Sequence, residues 1–386
     1  MTMAKVKQFS NSLWIEFTNM SLAPELTEKL INLSNALVNQ KAAKIIVPAY
    51  DESTGFWFGG GNMLQATNGD LYVVGRYRNF GDSRTGTAAG TRGLELAVFK
   101  STDSGQSFEK AVSWSKADLN QGDRTVLSIE GSALRWTDAG VELYVSTEKD
   151  GVGYPVGFED YLKPGTGVWT IDRLSAKSVE DLKGAAVEPF LECDDPAFIH
   201  VKDPFVFAPQ NFHTDDAAVF FCSHPFCWSS SNTGFVPASK VEEPAYEFFS
   251  RGPAWDVAMT RGTAILDVPM FGEFADLDVS LMFYDGGECV RNLDEHKSAV
   301  SRPRGYSCEE LGGVAYFVDG DLGDLERLSK YAPMFVSPYG TGCSRYVDVL
   351  TTNEGLYATW QQSQENLSQP LVMNFLPMDE VARILT

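Results

Sequence analysis

One plan recurs five times along this chain, and it constrains the fold more than any other feature. A charged or small residue heads a short apolar strand, a turn follows, a second apolar strand runs back, and polar residues close the unit. The first copy opens at Gly60-Gly61-Asn62, turns at Asn68-Gly69-Asp70 and returns through Leu71-Tyr72-Val73-Val74 to Arg76-Tyr77-Arg78. The second opens at Glu130-Gly131, turns at Asp138-Ala139-Gly140 and ends at Ser146-Thr147-Glu148-Lys149. The third opens at Lys202-Asp203-Pro204, turns past Asp215-Asp216 and ends at Ser223-His224. The fourth runs from Arg261-Gly262 to Tyr284-Asp285, and the fifth from Ser344-Arg345 to Gln361-Gln362. The heads are roughly 60–80 residues apart, longer than the ~40–50 of a usual propeller blade, so each unit has room for two further strands and an insertion. Runs at 94–99, 168–171, 314–318 and 371–376 supply such strands.

The expected fold is therefore all-β, a five-bladed β-propeller over residues 49–386. Residues 1–48 are read as an N-terminal extension. Within it, 22–44 form the one clear helix, with Pro24 in its first turn and Leu26, Leu30, Leu33 and Leu37 on one face that packs on the propeller. The 34 glycines and 18 prolines suit many tight turns, and 44% hydrophobic residues allow a sizeable core. The stretch 101–108, Ser-Thr-Asp-Ser-Gly-Gln-Ser-Phe, matches an Asp-box, in which Asp103 and Gly105 build a hairpin turn over an aromatic. The motif resembles those of sialidase-type propellers and makes Asp103 a structural residue.

In a propeller the first strand of each blade lines the central channel. Its head and the tail of the second strand then meet on one face. That rule collects Glu130, Lys202, Asp203, Arg261 and Arg345 from the heads. The tails give Arg76, Arg78, Glu148, Lys149, His224, Asp285 and Gln361, and the loop after the first tail adds Asp82, Arg84 and Arg92. Basic groups gather here although the chain carries a net charge of -21. This contrast favours a site for a carboxylate or sulfate held by an arginine fork; mutual pairing of the charges around a wet channel is the plainer reading. Carboxylates from different blades are what glycoside hydrolysis needs, one as acid and one as base or nucleophile. Glu130 is the expected acid and Asp203 the second essential carboxylate, as base or as orienter. Lys202 beside it favours its ionised form. Asp82 is the further catalytic candidate.

Lys202-Asp203-Pro204 resembles the Arg-Asp-Pro or Lys-Asp-Pro segment on an inner strand of the five-bladed glycoside hydrolases, such as families 32, 43, 117 and 130. The resemblance implies that Asp203 orients the acid or stabilises the transition state. Glu130-Gly131 is similar to the acid Glu of those families, which stands before Gly or Ala. Two departures are plain. In families 32 and 43 the Glu follows the Asp-Pro segment, whereas here it precedes it by one blade. Their first-blade Asp has no counterpart at Gly61-Asn62, the nearest acid being Asp82. The expected activity is thus an exo-acting glycosidase on an oligosaccharide that carries a uronate or sulfate. The alternatives are a uronate lyase using His224, Tyr77 and Arg345, and a non-catalytic sugar-binding propeller.

The acidity argues against nucleic acid, whose phosphates need a basic footprint. No apolar run reaches the length of a membrane span, and residues 1–17 lack a basic-then-apolar leader pattern, so a cytoplasmic location and no membrane partner are expected. A homo-oligomer is compatible with the chain. The six cysteines are irregularly spaced and read as free thiols; Cys222, His224 and Cys227 are too few for a metal-ligand set. No nucleotide or redox cofactor is expected. A structural calcium or other central ion would find carboxylates in the channel, though no spacing demands one.

Overall fold

The computed structural model describes residues 22–79, 93–207, 217–288 and 310–386. Helix α1 (Pro24–Leu37) starts with Pro at its first turn, where a missing N–H costs nothing. It stops well short of residue 44. The Asn39 side chain accepts the backbone N–H groups of Lys41 and Ala42 and turns the chain. The β-branched Ile45-Ile46-Val47 then adopt strand β1 (Lys44–Val47).

Blade one comprises β2 (Trp57–Gly59), β3 (Met63–Gln65), β4 (Leu71–Arg78), β5 (Glu95–Ser101) and β6 (Glu109–Ser115). Blade two holds β7 (Val126–Thr137), β8 (Gly140–Lys149), β9 (Val168–Ala176) and β10 (Glu188–Leu191). Blade three holds β11 (His200–Phe207), β12 (Ala218–His224), β13 (Asn232–Pro237) and β14 (Ala245–Phe249). Blade four holds β15 (Met259–Asp267), β16 (Val279–Gly287), β17 (Leu311–Val318) and β18 (Glu326–Arg327). Blade five holds β19 (Ser344–Thr351), β20 (Gly355–Gln362) and β21 (Leu371–Pro377), and helix α2 (Met378–Leu385) follows.

The outermost strand of blade five is β1, which pairs antiparallel with β21. The N-terminal strand thus clasps the last blade, and the sheet takes in residues below the boundary drawn at 48. The ring is continuous: β7 packs on β11, β11 on β15, β15 on β19, and β19 on β3. Apolar faces of neighbouring sheets supply the core. In the largest cluster Leu30, Leu33 and Leu37 of α1 and Val381 and Leu385 of α2 pack with Leu266, Phe274 and Leu356. Leu266 and Leu356 lie at the turn ends of their hairpins, so the helices cover the end of blades four and five opposite the heads. Between β5 and β6, Asp103 accepts the Gln106 and Ser107 amides at 3.0 and 2.9 Å and ties the turn.

The inner strands share a local irregularity that shapes the channel. Register slips in β7 between Ile129 and Ser132, in β11 between Lys202 and Phe205, in β15 between Gly262 and Ala264, and in β19 between Arg345 and Asp348. In blade one, Gly60-Gly61-Asn62 interrupt the same position between β2 and β3. Each bulge re-aims the residue at its centre. Two of these are left-handed non-glycines, Asp203 at φ 52° and Tyr346 at φ 54°. Such backbone is costly for a side chain and persists where surrounding contacts hold it.

Candidate active site

Heads and tails meet as strand pairing requires: Gly59 faces Arg76, Ser128 faces Glu148, His200 faces His224, Arg261 faces Asp285 and Arg345 faces Gln361. Asp203 is the hub. Its Oδ1 accepts the Gly131 amide at 2.9 Å. Its Oδ2 lies 3.3 Å from the Tyr346 hydroxyl, 3.3 Å from Arg261 Nη1 and 3.5 Å from Lys202 Nζ. Burial pushes its carboxyl up, but Lys202, Arg261 and Arg76 outweigh burial and hold it below the ordinary carboxylate range. The left-handed backbone at Asp203 is fixed by its own N–H, which donates to Ser146 Oγ at 3.0 Å.

Glu130 stands next to the amide that Asp203 accepts. Its Oε1 accepts Ser128 Oγ at 2.8 Å, and Arg76 Nη2 lies 3.6 Å from Oε2. Gly131 is required by space. A Cβ there would come within 2.5 Å of Asp203 Oδ1 and 2.8 Å of its Cα. The group that approaches this glycine closely is Asp203.

On the other side of Asp203, Arg261 donates from Nε and Nη2 to Asp285 Oδ2 at 3.1 and 2.7 Å. Arg261 Nη2 also reaches Glu310 Oε2, and Arg345 Nη1 donates to the same oxygen at 2.8 Å. Burial would raise Glu310, but the two guanidiniums carry it well below the usual range. Asp285 moves the other way, to about 6, because burial and the Glu310 charge outweigh Arg261. The Tyr346 ring lies under the Arg261 guanidinium, 4.0 Å from its carbon. Its hydroxyl also accepts from Arg76 Nη2 at 3.2 Å, so Tyr346 links both halves of the site.

The remaining expected residues divide into two groups. Arg78 and Arg345 reach the mouth, each within 5 Å of the Trp57 ring, and the Gln361 amide packs against Gln369 and Arg345. Lys202 lies over Trp228 at 5.7 Å. Glu148 and Lys149 are fully buried: Glu148 accepts the Gly167 amide, and Lys149 is bonded to Asp172 at 2.6 Å inside blade two. Lys149 is thus taken up by a wall residue instead of lining the channel. His224 is near the centre but closed in, bonded to Ser230 O and Cys222 Sγ. Burial and Lys202 push its pKa well below the usual value. Cys227 turns away to Ser229. Asp82, Arg84 and Arg92 lie outside the described residues. Among the described residues no group of three or more His, Cys, Asp or Glu side chains could hold a metal ion.

Glu310, Tyr346, Trp57, Trp228 and Ser128 escape the sequence reading. The signal for Glu310 exists: it stands immediately before the apolar run of β17, which begins on the same face as the second-strand tails.

No family model and no curated protein sequence matches this chain. Solved structures do. A complex of BT0996 with RGII aligns over 92% of this chain and 96% of its own, with TM-score 0.59 and 11% identity. A thermostable family-43 glycoside hydrolase aligns over 85% and 91%, with TM-score 0.51 and 11% identity. The GH43_1 enzyme from Xanthomonas citri complexed with xylotriose aligns over 90% and 93%, with TM-score 0.51 and 9% identity. The chain has the five-bladed propeller fold of these glycoside hydrolases. What is shared at such identities is architecture, and the chemistry has to come from this chain's own residues.

Proposed function

We propose that this protein is an exo-acting glycoside hydrolase whose substrate carries an anionic group. The observation that carries the reading is the convergence of Glu130, Asp203 and Glu310 from three blades, joined through one hub. Asp203 touches the amide beside Glu130 on one side and shares Arg261 with Glu310 on the other. Asp203 accepts three hydrogen bonds, pairs with Lys202 at 3.5 Å and is 5% exposed, so it is held in place on every side. It orients and polarises, which leaves the base or nucleophile role to another group. Glu310 suits that role: it is ionised, and its side chain is 28% exposed at the mouth. Glu130 is the acid, with its carboxyl positioned by Ser128. Five cations, Arg76, Arg78, Lys202, Arg261 and Arg345, stand at heads and tails of the inner hairpins. Lys202, Arg78 and Arg345 bring together basic groups that suit a uronate or sulfate.

The uronate-lyase alternative needs an exposed base. His224 is enclosed, and Tyr77 points into the blade-one core against Phe58 and Tyr50, one residue out of phase with Arg76 and Arg78. A leaving-group series tests the roles. Glu130→Gln should keep much of its turnover on aryl glycosides with good leaving groups and lose it on poor ones, since only the latter need an acid. Glu310→Gln should fail on both. The opposite pattern would exchange the two assignments, and unchanged turnover in both variants would end the hydrolase reading.

A further inference from the structure

Tyr346 sits on left-handed backbone at φ 54°, an outlier for so bulky a side chain. Strain of this kind persists where several contacts hold it, and it gathers at functional sites. Here both backbone and ring are held. The Tyr346 N–H donates to the two oxygens of Asp285 at 3.0 and 3.1 Å. The ring lies among three guanidiniums, with the carbons of Arg261, Arg76 and Arg345 at 4.0, 5.0 and 5.4 Å from its centroid. These contacts fix where the hydroxyl stands.

The hydroxyl accepts from Arg76 Nη2 at 3.2 Å and donates to Asp203 Oδ2 at 3.3 Å. The same Arg76 nitrogen lies 3.6 Å from Glu130 Oε2. One nitrogen is thus divided between a neutral oxygen and a carboxylate, and it stands nearer the neutral one. The guanidinium is anchored from behind. Its Nη1 donates to Gly59 O at 2.7 Å, and it fills the space that a Cβ at Gly60 would take, 2.2 Å from Nη1. Burial pushes the Tyr346 phenol up to about 12, although Arg261 and Arg76 pull it down. At neutral pH the residue is therefore a neutral donor and acceptor. Among the described residues, the charges facing the hydroxyl and Glu130 are Arg76 of β4, Lys202 and Asp203 of β11, Arg261 of β15, Asp285 of β16, Arg345 of β19 and Glu310 before β17. Arg76 is in contact with both.

We infer that Tyr346 is a positioning residue: its hydroxyl draws Arg76 off Glu130 toward Asp203, which leaves Glu130 able to hold the proton that an acid gives. The inference rests on the proposed role of Glu130. An Arg76 given over wholly to Glu130 would keep that carboxyl ionised, and an ionised carboxyl has no proton to donate.

Tyr346→Phe tests it, because it keeps the ring among the guanidiniums and removes only the hydroxyl. The first readout needs no turnover. Side-chain carboxyls of the whole protein are titrated by NMR, with Glu130→Gln identifying the Glu130 signal. In Tyr346→Phe the Glu130 carboxyl should titrate at lower pH than in wild type, because Arg76 turns to it. In wild type the Tyr346 hydroxyl proton should shift as Glu130 titrates, a reading that requires no folded variant. The second readout is kinetic. The alkaline limb of kcat/KM should move to lower pH, and kcat should fall roughly 10- to 100-fold with KM nearly unchanged. A Glu130 titration that ignores the hydroxyl would overturn the inference. So would a lowered kcat with the alkaline limb in place, or a glycosyl adduct on the Tyr346 oxygen. If no oligosaccharide is turned over while Glu130 still responds as stated, the hydrolase reading falls and the control of Arg76 by Tyr346 stands. If Glu130 proves to be the acid and its titration is the same in Tyr346→Phe, the inference falls and the hydrolase reading stands.

Discussion

Two buried charge sites in this molecule obey opposite balances. In the wall of blade two, Lys149 and Asp172 meet at 2.6 Å with both side chains 0% exposed, and Gln121 bonds both. Burial wins there. It pushes Lys149 down and Asp172 up although each faces its counter-ion. At the channel mouth the charges are nearly as buried, yet attraction wins for four of them, while Asp285 follows burial. Lys202 and Arg261 are raised, and Asp203 and Glu310 are lowered, against the burial that opposes each. The difference is one of number and opening. Each member of the wall pair has one counter-ion with which to offset its desolvation, whereas Asp203, Arg261 and Glu310 each have two or more, and Lys202 and Glu310 still reach solvent. A closed pair can do no more than hold a wall. An open network of fixed charges can act on a ligand.

The comparison can be broken at its strongest points first. Asp203→Asn should lower kcat/KM on the order of 10²–10⁴-fold, read at a temperature where the variant is folded. Asp172→Ala should leave that ratio unchanged per folded molecule. It strands a buried ammonium, so it should cost about 3–5 kcal/mol in denaturant unfolding. Equal losses of activity in the two variants would erase the distinction between wall and mouth. The double change Lys149→Met with Asp172→Leu should restore most of the stability or exceed it, because the desolvation cost goes with the charges. A double variant as unstable as Asp172→Ala would show that the pair is worth more than an apolar wall.

A third case sharpens the comparison. Asp348 is a buried carboxylate held by backbone amides, its Oδ2 accepting Met63 N–H at 2.7 Å. Burial raises it to about 8. Its value in the unfolded chain is near 3.8, so between these limits the folded state keeps a proton that the unfolded state loses. Stability should therefore fall as pH rises from about 4 to about 8. Asp285, raised to about 6, adds a fall that is smaller in total because it is confined to about pH 4–6. Asp348→Asn should flatten the first slope, raising the melting temperature above pH 8 and leaving it unchanged below about pH 4. Parallel pH curves for variant and wild type would contradict this.

Much of the fold is legible because a propeller repeats. Five heads and five tails in register define the channel face before any coordinate is known, and β1 is missed because a four-residue strand beside a helix carries no repeat. The site is legible where it lies on the repeat: Glu130, Asp203, Arg76, Arg261, Asp285 and Arg345 all fall on heads or tails. Lys149 is misplaced because Glu148 and Lys149 are neighbours in one strand, and alternation turns them to opposite faces. Glu310 escapes because it reaches the mouth at the head of a third strand, outside the two-strand unit that repeats. Tyr346 escapes because its role depends on a left-handed bulge, which sequence periodicity does not report.

The most direct test of the central claim is product analysis on defined oligosaccharides ending in a uronate, in a sulfated sugar or in a neutral sugar. Products are followed by chromatography and ultraviolet absorbance, with Glu130→Gln, Asp203→Asn and the Lys149/Asp172 double variant run beside wild type. A charged hydrolase site predicts release of the anionic terminal sugar with no new ultraviolet absorbance. That release should be lost in Glu130→Gln and Asp203→Asn and kept in the double variant. Cleavage of neutral ends alone, products bearing a conjugated double bond, or full turnover without Glu130 and Asp203 would contradict it.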